Sequence, residues 1–223
     1  MVVWCLDLKI KAVIFDVDGT LLDTYRDLAN AVNFALIENG LPTHSSEKYK
    51  YFCGNGTEKM IERALPEDKR DDALIAHLKK YYLDFYNKHT GEETRVYDGI
   101  QELLSTLKQK GIKMGVVSNK IDCMVQQVIP QYFGDCFDFV TGQRDGIPAK
   151  PDPALVFEAM KALGVESSEC IFVGDSGVDA MTGSRSGAFM VGVLWGFRDR
   201  DELVTNGADA VISTPMELLE YIV

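Results

Sequence analysis

Apolar residues along this chain fall into short runs that end in polar, glycine-bearing turns. Lys9-Ile10-Lys11-Ala12-Val13-Ile14-Phe15 stops at Asp16-Val17-Asp18-Gly19-Thr20. Such a run reads as a buried strand entering a loop. The grammar recurs at Ile112 to Val117 before Ser118-Asn119-Lys120, and at Cys170 to Val173 before Gly174-Asp175-Ser176. It appears again at Phe189 to Val193, and at Ala210 to Ile212 before Ser213. Between the runs lie helical patterns over Ile100 to Lys110, Pro153 to Leu163, Asp179 to Ser186 and Met216 to Ile222. Strands alternating with helices predict an α/β fold, a Rossmann-like parallel sheet with helices on both faces. Right-handed crossovers then bring the strand C-termini to one edge.

The stretch from Thr24 to Arg95 breaks this rhythm. It has no strand-like run, and its patterns predict helices over Asp27 to Glu38, Glu58 to Leu65 and Asp71 to Asn87. The expected organisation is a catalytic core made of residues 1–23 and 96–223, with an inserted α-helical cap domain at 24–95. Tyr81, Tyr82, Phe85 and Tyr86 recur at helical spacing and read as core and rim of that insert. Gly54-Asn55-Gly56 reads as a break between two of its helices and as a candidate substrate contact.

Ligands of open α/β sheets bind outside the carboxyl ends of the strands. Those ends here carry Asp16, Asp18, Ser118, Asp175 and, four residues on, Asp179, while Lys150 sits in a proline-rich turn, Ile147-Pro148-Ala149-Lys150-Pro151-Asp152-Pro153. Two close carboxylates repel unless a cation or a proton lies between them. Mg²⁺ suits an all-oxygen set of this kind. A carboxylate can also attack phosphorus, with Mg²⁺ and the Lys150 ammonium offsetting the charge that a phosphate brings. On this reading Asp16 is the nucleophile and a metal ligand. Asp18 is the acid/base, ligating through its backbone carbonyl. Ser118 and Asn119 join Lys150 in binding phosphate, Asp175 completes the metal site, and Asp179 holds Lys150 or a metal-bound water.

Composition narrows the field. The chain has 223 residues and a net charge of −11, which disfavours nucleic acid or an anionic membrane as partner. No run approaches a membrane span, and the opening segment reads as neither leader nor signal peptide. His44, His77 and His89 have unrelated spacings that do not suggest zinc, and five scattered cysteines, Cys5 among them, point to free thiols in the cytoplasm. The expected partner is a small-molecule phosphate ester, met by a monomer or homodimer.

Asp16-Val17-Asp18-Gly19-Thr20-Leu21, Ser118, Lys150 in Lys-Pro-Asp-Pro, and Gly174-Asp175-Ser176-Gly177-Val178-Asp179 together resemble the four motifs of the haloacid dehalogenase-like hydrolase superfamily. The resemblance covers nearly the whole chain and implies the roles given above, with the insert as an α-helical cap. Asp18 points to the phosphatase branch, since the dehalogenases resemble D-x-Y-G-T here. Gly54-Asn55-Gly56, Ile61 to Leu65 and Gly192-Val193-Leu194-Trp195-Gly196 resemble the phosphoglycolate phosphatases. The resemblance leaves open a phosphomutase of the β-phosphoglucomutase type, or a pyrophosphatase or nucleotidase of the same superfamily.

Overall fold

The computed structural model describes residues 9–222; Cys5 and the rest of the opening segment lie outside the described residues. Its main sheet has six parallel strands in the order β5-β4-β1-β6-β7-β8. They are β1 (Ala12–Phe15), β4 (Lys113–Ile121), β5 (Phe139–Gln143), β6 (Cys170–Gly174), β7 (Phe189–Val193) and β8 (Ala210–Ile212). A two-stranded antiparallel ribbon joins β2 (Leu22–Asp23) to β3 (Arg95–Val96).

The continuous apolar runs reflect a sheet covered on both faces. Within β1, Val13 and Phe15 pack with Leu103 of α5 (Ile100–Gln109) and Val125 of α6 (Asp122–Phe133). Ala12 and Ile14 point the other way, towards Leu155 of α7 (Ala154–Leu163) and Ala180 of α8 (Gly177–Ser186). Alternate side chains of a strand face opposite sides, so one tetrapeptide feeds both cores. A short helix, α9 (Arg200–Thr205), lies before β8, and a 3₁₀ segment, Pro215–Tyr221, stands where the pattern predicts a final α-helix. Pro215 starts that segment and a capping box on Thr214 and Glu217 fixes its entry.

The chain leaves this core after β2 and returns at β3. In between lie four helices, α1 (Tyr25–Glu38), α2 (Ser46–Phe52), α3 (Thr57–Ala64) and α4 (Asp72–His89). They share a hydrophobic cluster built on Leu36, Tyr49, Ile61, Leu78 and Tyr82, joined from the sheet side by Met124 and Phe197. Among the described residues no helix is long and apolar enough to cross a membrane.

Asp27 ties the two crossing segments together. This buried carboxylate, on the first turn of α1, accepts hydrogen bonds from the backbone N–H groups of Gly91, Glu93 and Thr94 at 2.9 to 3.1 Å, and from Thr94 Oγ1 at 2.6 Å. The end of the insert is thereby held against its beginning. Asp27→Ala would strand these donors, and the expected loss is about 3 kcal/mol. Thermal unfolding should show Tm lower by about 6–12 °C; an unchanged Tm would contradict this anchoring role.

Candidate active site

Asp16 follows β1, whose neighbours are β4 on one side and β6 on the other. Phe15 pairs with Val116 and Val173, so the chain positions just beyond it on three strands lie level. The Asp16 N–H donates to Val173 O at 2.9 Å, which continues the ladder one residue into the loop. Strand order also reverses around β1, the place where α/β sheets open a crevice. Asp16, Ser118 and Asp175 are brought together by this register rather than by proximity in sequence.

The loop after β1 is tight. The N–H groups of Thr20, Leu21 and Leu22 all point to Val17 O, and Trp195 Nε1 donates to Thr20 O at 2.9 Å. Gly19 has φ of +91°, and a Cβ there would lie 2.2 Å from Asp175 Oδ2. Only glycine satisfies both the backbone angle and the close approach of that carboxylate. Gly196 crowds Asp175 from the other side, with a hypothetical Cβ 2.4 Å from Asp175 Cβ. The Phe197 N–H donates to Asp175 Oδ2 at 2.7 Å.

Lys150 is buried and links two acids. Its Nζ lies 2.7 Å from Asp16 Oδ1, 2.7 Å from Asp179 Oδ1 and 3.3 Å from Val117 O. Asp179 is held in turn by a capping box at the start of α8, its Oδ2 accepting from Ser176 N at 3.1 Å and Ser176 Oγ at 2.5 Å. Asn119 fixes the Lys150 turn: its Nδ2 donates to Lys150 O and to Gly54 O, and its Oδ1 accepts from Lys150 N. The amide of Asn119 is thus engaged by backbone, unlike the phosphate contact expected of it. Ser118 Oγ accepts from Lys120 N at 3.2 Å, and Ser118 lines a cavity above Asp16.

Charge dominates this edge. Burial lifts the Asp16 carboxyl to about 6; Lys150 pulls it down and Asp179 pushes it up. Burial also drives Asp175 well above the carboxylate range, with Asp179 and Asp16 adding to the effect. Desolvation alone would lower the Lys150 ammonium, but Asp16 and Asp179 outweigh it and keep it firmly charged. Asp16, Asp175 and Asp179 each bring one oxygen within 4.8 Å of the others. No imidazole or thiolate is in this set, so its chemistry fits a hard divalent cation. Asp179 already serves Lys150 and Ser176, which leaves Asp16 and Asp175 as the better ligands.

Asp18 faces the cavity as well, and its partners are residues to which the sequence pattern assigns no role. Thr24 Oγ1 donates to its Oδ1 at 2.7 Å, and Lys120 Nζ lies 3.0 Å from Oδ1 and 3.3 Å from Oδ2. The apolar run suggests that β4 ends before Ser118, but the strand continues to Ile121, with an irregularity in its pairing after Val117. Alternation along that extension puts Ser118 and Lys120 on one face, the signal that would have revealed Lys120. Gly54 and Gly56 also line the cavity, whereas the Asn55 side chain turns away to accept from Arg63 Nη2 at 2.7 Å. Arg198, after β7, spans the junction by donating to the carbonyls of Lys50, Tyr51 and Cys53.

Comparison with known proteins agrees with this geometry. Residues 13–193 match the family model described as haloacid dehalogenase-like hydrolase. A phosphoglycolate phosphatase of Pseudomonas putida is 33% identical over 94% of this chain and 78% of its own length. A phosphoglycolate phosphatase of Yersinia pseudotuberculosis is 29% identical over 96% of this chain and 93% of its own. A crystal structure described as a candidate phosphoglycolate phosphatase from Lactobacillus delbrueckii superposes with a TM-score of 0.90 at 33% identity, covering 96% of this chain and 99% of that one. The chain therefore belongs to the haloacid dehalogenase-like hydrolase family, on its phosphoglycolate phosphatase-like branch, and is an enzyme of the phosphatase class.

Proposed function

We propose that this enzyme is a Mg²⁺-dependent phosphatase that hydrolyses a small phosphate monoester of the phosphoglycolate kind through an aspartyl-phosphate on Asp16. The observation that carries the proposal is the buried Asp16–Lys150–Asp179 chain of ion pairs, which presents Asp16 to the same cavity as Asp18. A purely structural cluster would not aim two acids at an open cavity while Lys150 neutralises one of them.

The steps follow from the residues. Ester phosphate enters between Ser118 and Lys150, which bind its oxygens. The Asp16 carboxylate attacks phosphorus, and the ester oxygen leaves as Asp18 gives it a proton. Asp18 then takes a proton from the water that attacks the aspartyl-phosphate, which releases inorganic phosphate and restores Asp16. Asp179 keeps Lys150 pointed at the nucleophile throughout, as a positioning residue. Asp16, Asp175 and the main-chain carbonyl of Asp18 would hold Mg²⁺, which when bound neutralises charge on the transferring phosphoryl oxygens. The helices of residues 24–95 act as a cap domain over the strand ends, with Gly54 and Gly56 in its wall above the site. The names of the relatives and the small cavity support a small ester. The free thiols of Cys53, Cys123, Cys136 and Cys170 support action in the cytoplasm.

Phosphate release from a panel of esters tests the assignment. With Mg²⁺ the wild type should turn over short esters fastest, and Asp16→Asn should lose about 10⁴-fold or more in kcat. Full activity in Asp16→Asn would contradict the assigned nucleophile. Phosphoryl exchange between sugar phosphates without net release would identify a mutase instead.

Metal dependence has a readout in stability. Carboxyls whose folded pKa is raised bind protons more tightly when folded, so the metal-free protein loses stability as pH climbs through about 6. Mg²⁺ should take over from the protons on Asp16 and Asp175. The expected rise in Tm at pH 7.5 is about 5–10 °C with Mg²⁺ near 100 times its Kd, and it should shrink at pH 5 and vanish in Asp175→Asn. An equal rise in that variant would place the metal elsewhere.

A further inference from the structure

The cavity above Asp16 holds a second buried cation. Lys120 is its only cationic lining side chain among the described residues, and that side chain is 2% exposed. Its ammonium has three donor hydrogens, and among the described residues the Asp18 oxygens accept from it at 3.0 and 3.3 Å, with the Tyr86 side chain beside it. It also lies 4.8 Å from the centre of the Tyr86 ring. A buried ammonium with unfilled donor capacity attracts a further anion.

Two neighbours share that tendency. Tyr82 on α4 is fully buried and lines the cavity, yet its hydroxyl has no hydrogen-bond partner among the described residues. The charges of Lys120 and Asp18 both act on that hydroxyl. A buried hydroxyl without a partner costs free energy that a ligand acceptor would recover. The N-terminus of α3 also reaches the cavity, through Gly56 and Thr57. No side chain caps it, so its first N–H groups favour an anion.

We infer that Lys120, the Tyr82 hydroxyl and the first amides of α3 form an anion subsite for the leaving group, built for a carboxylate carried a short distance beyond the ester oxygen. The inference rests on the phosphatase function proposed above. Asp18 must reach the leaving oxygen to protonate it, so that oxygen lies against Asp18. Whatever the oxygen carries then lies beside Lys120, which is 3.0 Å from Asp18. Lys150 serves the phosphoryl side of the site and Lys120 the leaving-group side. The preferred substrates are therefore short phosphate esters of hydroxy acids, ahead of neutral alcohol phosphates of the same size.

The test compares kcat/KM for phosphoglycolate with that for 2-hydroxyethyl phosphate, its neutral counterpart, with Mg²⁺ present. Wild type should favour the acid by about 100-fold, and Tyr82→Phe and Lys120→Met should each cut that ratio by about 10-fold or more. The ratio cancels any general loss that Lys120→Met causes through Asp18. Tyr82→Phe removes a hydroxyl with no partner, so its Tm should not fall. A wild-type ratio near 1, or a ratio unchanged in both variants, overturns the subsite and leaves the phosphatase function standing. Release from neither ester by wild type overturns the phosphatase function and the subsite with it.

Discussion

The structure depends on one lysine standing between acids that would otherwise repel. Lys150 meets Asp16 and Asp179 at equal distances, and all three side chains are at least nine-tenths buried. Breaking such a pair leaves an uncompensated buried charge, at a cost of about 3–5 kcal/mol. Much of the surrounding architecture exists to keep this lysine in place. Asn119 holds its backbone on both sides, Val117 O takes one donor, and the α8 capping box fixes Asp179. Among the described residues no lysine pairs with Asp175, and burial, with the charges of Asp179 and Asp16 added, raises its carboxyl. A hard cation beside Asp16 and Asp175 is the complement that the proposed phosphoryl transfer would use.

A second charge pair organises the other half of the site. Lys120 and Asp18 meet beside Tyr82 of α4, which lines the cavity and stacks on Tyr86 at 5.6 Å. The helical insert is tied to the site at three levels. Asp27 closes its two chain crossings, Arg198 grips the carbonyls at the end of α2, and Asn119 bonds Gly54 O directly. The same amide that sets the Lys150 turn therefore touches the insert. Asn119 therefore joins the insert to the turn that carries Lys150, the partner of Asp16.

Much of this was legible in the sequence, because strands buried on both faces write continuous apolar runs. The four acids and Lys150 stood at the ends of such runs or in a turn fixed by prolines, and the structure brings them together. What escaped had weak local signals. The α2 segment Ser46–Phe52 buries only Tyr49, so it carries no apolar stripe. The edge strand β5 reads Phe-Val-Thr-Gly-Gln and is only partly buried, so no apolar run marks it. Pro130 inside α6 removes the N–H that would bond to Gln126 O, and the helix ends three residues later at Phe133. Lys120 escaped because a polar Ser-Asn-Lys sequence looks like a loop, and its partner Asp18 is 102 residues away.

The proposed chemistry turns on a covalent bond between Asp16 and phosphorus. Acid quenching during turnover of a phosphorus-labelled ester, followed by borohydride reduction and peptide mapping, tests it directly. Label is expected on the peptide bearing Asp16, with homoserine in its place after reduction. Steady phosphate release with no label on the protein at any quench time would mean that water attacks the ester directly, and would contradict a covalent role for Asp16.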